Sequence, residues 1–244
     1  MLQQLTSRDQ TATGTYYLPI ALLFGIIFAV VRVVGILGPL TYRFVLPLGF
    51  ILMALMPFIF LNRSQRQKMG FSRSKSQSFY GLALLTGMVA ALFCFLLGKA
   101  FFDTSLDNWY VTIKNAYANT VPLDSKGAFL IITIPALIFS PVGEEIYFRE
   151  FLQDALSTRF NYRASVVSES LFFGIIHLCH HGLSLVNHQF VFRPVSGSVW
   201  VLLMFLTACL FAWIKRKSDS IYPAIAAHVA FNLTMNVCIF YALV

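Results

Sequence analysis

Apolar residues fill this chain in seven long stretches, and the charged residues fall between them. Gln10–Val31 runs 22 residues without a charge, Phe44–Asn62 runs 19 and Ser76–Gly98 runs 23. Gly127–Gly143 adds 17, Ser170–Phe192 adds 23 with histidine counted neutral, Pro194–Ile214 adds 21 and Ser220–Val244 adds 25. A helix that crosses a bilayer needs about 20 mainly apolar residues at 1.5 Å each. The pattern therefore predicts an all-α polytopic transmembrane helical bundle of seven spans. An eighth would require the stretch between Glu144 and Arg163 to re-enter the membrane. No repeat, low-complexity tract or soluble appendage interrupts the pattern, so residues 1–244 are expected to form a single integral membrane domain. The polar stretch Met1–Thr15 lacks the basic start and short apolar core of a cleavable signal.

Composition agrees with a lipid-facing surface. Hydrophobic residues make up 58% of the chain and charged ones 11%, against roughly a quarter charged in a soluble domain. The mean hydropathy is +0.73. Cys94, Cys179, Cys209 and Cys238 lie within apolar runs with neither CxxC spacing nor a secreted disulfide pattern, and read as packing residues.

The net charge of +8 is not a nucleic-acid signal, because it is placed as membrane topology requires. Arg63, Arg66, Lys68, Arg73 and Lys75 follow the second run with no acid among them, and Lys215, Arg216 and Lys217 follow the sixth. Short basic loops stay in the cytoplasm. The loop after the third run sets Asp103, Asp107 and Asp124 against Lys114 and Lys126 and is expected outside. These loops agree with a cytoplasmic N-terminus and seven crossings; in a prokaryote the membrane would be the cell membrane. Arg32 interrupts the first hydrophobic stretch and is expected to pair with a neighbouring helix or snorkel.

A few polar residues sit where lipid should be. Glu144, Glu145 and Arg149 follow an apolar run directly, after Pro141 and Gly143, which mark an expected kink. Glu145 and Arg149, at i and i+4, share a face and suit an ion pair. Alone, this segment reads as an amphipathic helix with a surface salt bridge. His177 and His228 change that reading, since both lie inside apolar stretches, with Asn232 one turn beyond His228. Glu144 lies 15 residues before Arg159, His177 lies 14 after Arg163 and His228 lies 11 after Lys217, or roughly 16–22 Å of helix from those basic anchors. One layer near mid-membrane is predicted. Buried polar groups in lipid cost several kcal/mol unless they pair or face a wet cavity, so a shared intramembrane cavity is the economical arrangement. Proton relay, metal site and hydrolytic site all fit that geometry.

Taken together, Glu144-Glu145-x-x-x-Arg149, Phe173-x-x-x-His177 and His228-x-x-x-Asn232 resemble the three motifs of the CAAX protease and bacteriocin-processing family. These are the membrane-embedded Ras-converting (type II CAAX prenyl) endopeptidases and their bacterial relatives. The motifs occur in the family's order, and the resemblance covers a catalytic core from about Ile131 to Met235. The family is usually drawn with eight helices. The resemblance implies a glutamate-dependent endopeptidase that needs no cofactor. Glu144 with His177 would activate water, His228 and Asn232 would hold the oxyanion, Glu145 and Arg149 would hold the site in shape, and Phe173 would pack beside His177.

The chemistry is sound without the family. A carboxylate in a poorly hydrated pocket is suited to take a proton from water. N–H donors one turn apart can point at a developing oxyanion. A zinc metallopeptidase is the nearest rival, with Glu144, His177 and His228 as ligands and an open fourth position. His177, His180 and His181 also share a helical face, but no His-Glu-x-x-His sequence is present. A non-catalytic bacteriocin-immunity or binding protein is a second rival. A transporter is a third, although no paired broken-helix pattern is found. The expected partners are the lipid bilayer and a membrane-tethered peptide or protein, with or without a prenyl group, reaching a site that opens toward the cytoplasm.

Overall fold

The computed structural model describes residues 9–118, 120, 126–186 and 189–243; Met1–Arg8 and Asp124 lie outside the described residues. Helices dominate: α1 (Asp9–Leu37), α2 (Val45–Phe60), the short α3 (Arg63–Gln67), α4 (Ser78–Phe102), α5 (Trp109–Ala118) and α6 (Lys126–Glu145). A π-helical segment, Ile146–Leu152, leads into α7 (Gln153–Ser157), followed by α8 (Tyr162–Ile176). A small hairpin of β1 (Leu183–Val186) and β2 (Gln189–Phe192) precedes α9 (Pro194–Ser218) and α10 (Ile221–Val237). The all-α polytopic bundle is the architecture found.

Among the described residues, six helical stretches are long and apolar enough to cross a membrane: Tyr17–Leu37, Leu40–Phe60, Ser78–Phe102, Lys126–Ser157, Pro194–Ser218 and Ile221–Ala242. Their outer faces carry the large exposed side chains, such as Leu23, Ile26 and Val30 on α1 and Leu85, Val89, Phe93 and Leu96 on α4. In water such stripes would aggregate; against lipid tails they are the ordinary surface.

The seven or eight spans read from the sequence are therefore not all met by length and apolarity. The difference lies at Ser170–Phe192. Its helix begins earlier, capped by Asn161, whose side chain accepts from the Ala164 N–H at 3.0 Å, and it ends at Ile176. A 3-10 turn, His177–Cys179, and the hairpin follow. The break has a local cause. Gly182 takes a left-handed φ of 103°, and a Cβ there would lie 2.9 Å from the Cα of Gly197. Only glycine lets the chain turn so close to α9. At 15 residues, α8 is about 22 Å long, and it carries Glu169.

Pro141 and Gly143 both lie within α6. No break occurs there: α6 continues through both to Glu145 and passes into the π-helical turns, with no re-entrant loop between Glu144 and Arg163. Gly143 serves packing instead, because a Cβ on it would sit 2.3 Å from the carbonyl oxygen of Phe50 on α2.

The basic loop after α2 seals one end of the bundle. Gly70 O accepts from the Ile221 N–H at 2.8 Å, the Lys75 N–H donates to Ser218 O at 3.0 Å, and Ser220 Oγ donates to Ser72 O at 2.7 Å. Glu150 joins them, accepting from the Gly70 N–H at 3.0 Å and pairing with Lys215 at 3.0 Å. Tyr147, Phe148, Phe151 and Leu152 fill the space above, all essentially buried.

Candidate active site

The wide π-helical turns rotate their side chains inward, so Ile146–Leu152 is buried on every side. Such turns hold one residue more than an α-helical turn and occur often at functional sites. The surface salt bridge allowed by the sequence is thereby excluded: Glu144, Glu145, Arg149 and Glu169 each have 0% exposure. Arg149 Nε lies 3.2 Å from Glu145 Oε2, the expected i,i+4 pair, and Arg149 Nη1 donates to Glu169 Oε2 on α8. Ser170 Oγ donates to the other Glu169 oxygen at 3.2 Å.

Each motif then feeds the next. Glu145 Oε1 accepts from His228 Nδ1 at 2.9 Å. That fixes the ring of His228, whose Nε2 is 3.9 Å from Glu144 Oε2. Phe211 stacks on the same imidazole at 5.2 Å between centroids. Phe173 lies between the two histidines, 4.4 Å from the His177 ring and 6.0 Å from the His228 ring, with the Arg149 guanidinium 5.1 Å from its own centroid. His177 Nδ1 is 2.6 Å from the Phe173 carbonyl. A carbonyl only accepts, so Nδ1 carries the proton and Nε2 is the acceptor. Asn232 donates one amide N–H to Ala136 O at 3.0 Å, leaving the second free.

Glu144 holds the centre. Its Oε1 accepts from Arg32 Nη2 and from Ser140 Oγ at 3.2 Å, while Oε2 has no hydrogen-bond partner among the described residues. Arg32 Nη1 reaches His177 Nε2 at 3.4 Å. So Glu144 and His177 meet through Arg32 rather than directly. Among the described residues no three histidine, cysteine, aspartate or glutamate side chains gather as a metal-ligand set. The Arg32 guanidinium stands between Glu144 and His177.

A cavity of ≈ 530 Å³ borders this cluster. Arg32, Ser140, Phe173, His177, His228 and Asn232 are among its walls, with His180 stacked on His177 at 5.4 Å; Thr112, Thr120, Ser184 and Arg193 line it too. No lining residue comes from 61–77, 158–161 or 215–220. The cavity thus runs toward the end of the bundle that carries α5 and the hairpin, away from the basic loops. The sequence placed the opening on the basic side. A depth of roughly 16–22 Å from those loops already lies past the middle of a core about 30 Å thick, and the packing around Tyr147, Phe151 and Gly70 closes that side.

The structure therefore brings together all seven residues picked from the sequence, and adds three. Arg32 makes the pairing with a neighbouring helix that is expected of it, while Ser140 and Glu169 are not among the residues singled out by the sequence. Arg32 and Glu169 had a signal available, each being a charge set within or against an apolar run; Ser140 had none.

Residues 126–234 match the family model described as Type II CAAX prenyl endopeptidase Rce1-like. The matched segment is a little under half of the chain and contains all three motifs, from Glu144 to Asn232, so the chain is similar there to a protease family. No curated protein and no solved structure matches the chain.

Proposed function

We propose that this protein is a glutamate-dependent endopeptidase of the CAAX prenyl type, cleaving a membrane-tethered peptide inside the bilayer. The observation that carries the reading is Glu144, a buried carboxylate with one oxygen held and the other unpartnered beside His228. A water hydrogen-bonded at Oε2 gives its proton to that oxygen as it attacks the peptide carbonyl carbon. The electron pair of the carbonyl moves onto its oxygen, giving a tetrahedral oxyanion. His228 and the free N–H of Asn232 are the donors for that oxyanion. Glu145 holds the Nδ1 edge of His228, so the Nε2 edge is the one turned toward Glu144 and the oxyanion. Collapse breaks the C–N bond, and Glu144 returns the proton to the leaving amine. His177 acts together with Arg32 to orient the carboxylate. The scheme uses no metal.

The basic loops face the cytoplasm by the positive-inside rule, so the cavity mouth belongs to the opposite leaflet. Its walls are mostly apolar, which suits a substrate carrying a lipid or an apolar segment. The test offers purified wild type and Glu144→Gln a prenylated peptide ending in a CaaX sequence, its unprenylated twin and an apolar leader peptide. Cleavage by wild type alone supports the reading. A Glu144→Gln enzyme as active as wild type sinks it.

A further inference from the structure

Arg32 stands at position 32 on α1, far outside the matched segment 126–234, yet its guanidinium touches two residues of the site. One nitrogen donates to Glu144 Oε1, and the other lies 3.4 Å from His177 Nε2. The ring of Phe50 on α2 packs against the guanidinium at 5.3 Å. Arg32 is 6% exposed, and it lines the cavity where Glu144 itself does not. A buried cation so placed has a structural use as a counter-ion, but that use alone does not require contact with His177 as well.

We propose that Arg32 is a positioning residue for Glu144, an inference that rests on reading Glu144 as the base. A carboxylate has two equivalent oxygens and turns freely about its last bond. Arg32 and Ser140 both take Oε1, so Oε2 is the oxygen presented to the reacting water. The groups facing the carboxylate are few: Ser140 on its own helix, Arg32 from α1, His228 from α10, and His177 from α8 through Arg32. Phe50 of α2 packs on the Arg32 guanidinium and is uncharged. Among the described residues Arg32 is therefore the one arginine or lysine paired with Glu144. A lysine would keep the charge but lacks the planar fork that spans Glu144 and His177 together.

The experiment compares wild type, Arg32→Lys, Arg32→Gln and Glu144→Gln on the prenylated CaaX peptide, with unfolding followed in parallel. Arg32→Gln is expected to lose about 10²–10³-fold in kcat with KM nearly unchanged, and Arg32→Lys about 10-fold. Methylguanidinium in the buffer is expected to restore part of the Arg32→Gln rate and none of the Glu144→Gln rate. A second readout needs no substrate. A lone carboxylate left in apolar surroundings takes up a proton, and dicyclohexylcarbodiimide reacts with protonated carboxyls. Mass spectrometry should find Glu144 labelled several-fold more in Arg32→Gln than in wild type, with Glu169 unchanged. Wild-type rate and labelling in Arg32→Gln, or wild-type rate in the charge-keeping Arg32→Lys, overturn the inference while an inactive Glu144→Gln leaves the peptidase reading intact. An active Glu144→Gln overturns both.

Discussion

His228 gives its Nδ1 edge to Glu145 at 2.9 Å and turns its Nε2 edge toward Glu144 at 3.9 Å. Two consecutive carboxylates on one helix thus flank a single imidazole, and they differ in what else they touch. Glu145 continues into Arg149 and the buried ion cluster, whereas Glu144 borders the cavity through Arg32 and Ser140. In the proposed mechanism Glu145 is the orienting group and Glu144 the reacting one. Glu145→Gln should preserve the fold but lower kcat about 10²-fold or more, because an amide no longer fixes the ring and its proton. Steady-state kinetics on the purified variant check this, and a loss confined to KM would contradict it.

Asn232 keeps one amide hydrogen free after bonding Ala136. If that hydrogen meets the oxyanion, Asn232→Ala costs about 3–4 kcal/mol of barrier stabilisation, or roughly 10²–10³-fold in kcat. Asn232→Asp should fare no better, since it places negative charge beside negative charge. A single-turnover assay separates this loss from weaker binding.

Glu169→Ala removes the α8 partner of Arg149 and leaves a guanidinium with 0% exposure and one acid for company. Breaking a buried pair by deleting one member typically costs 3–5 kcal/mol. The variant should unfold at a clearly lower temperature in detergent, whereas Asp219→Ala, which breaks an exposed pair with Lys75, should unfold within about 1 kcal/mol of wild type.

Two glycines of α4 make a paired test of helix packing. A Cβ on Gly87 would lie 1.9 Å from the carbonyl oxygen of Ala227 on α10, while a Cβ on Gly81 meets nothing within 4 Å. Gly87→Ala must push α4 off α10 and should destabilise strongly. Gly81→Ala should be neutral or stabilising by up to about 1 kcal/mol through helix propensity. Thermal unfolding of the two variants side by side decides it.

Side of access can be measured in intact cells. In a cysteine-free background, Ser184→Cys at the cavity mouth and Ser72→Cys in the basic loop should label oppositely with a membrane-impermeant maleimide. The positive-inside rule predicts that Ser184→Cys labels from outside and Ser72→Cys only after lysis. The reverse pattern would put the mouth in the cytoplasm.

Much of this was legible in the residues because membranes punish charge severely. A helix with one face in lipid shows where its buried polar groups are, so Glu144, His177, His228 and Asn232 stood out against apolar neighbours, and the i,i+4 spacing alone paired Glu145 with Arg149. Elsewhere the same signal misled. Ser170–Phe192 has a span's length and no charge, yet the local demand at Gly182 ends the helix and makes a hairpin. Nothing along the chain announced the π-helical turns after Glu145, which bury Tyr147, Phe148 and Phe151 together.

The sequence by itself determined the class of fold and the identity of the buried polar layer, since hydropathy sets which segments can enter lipid and polar residues inside apolar runs must meet one another or a cavity. Tertiary structure decided the partners and the access. Which oxygen of Glu144 is held, which nitrogen of His228 faces it, and that Arg32 from α1 reaches across to both Glu144 and His177 depend on contacts between residues more than a hundred positions apart. The end toward which the cavity runs depends on how the π-helical turns and the basic loop fill the other end, a matter of shape that no pattern along one chain encodes.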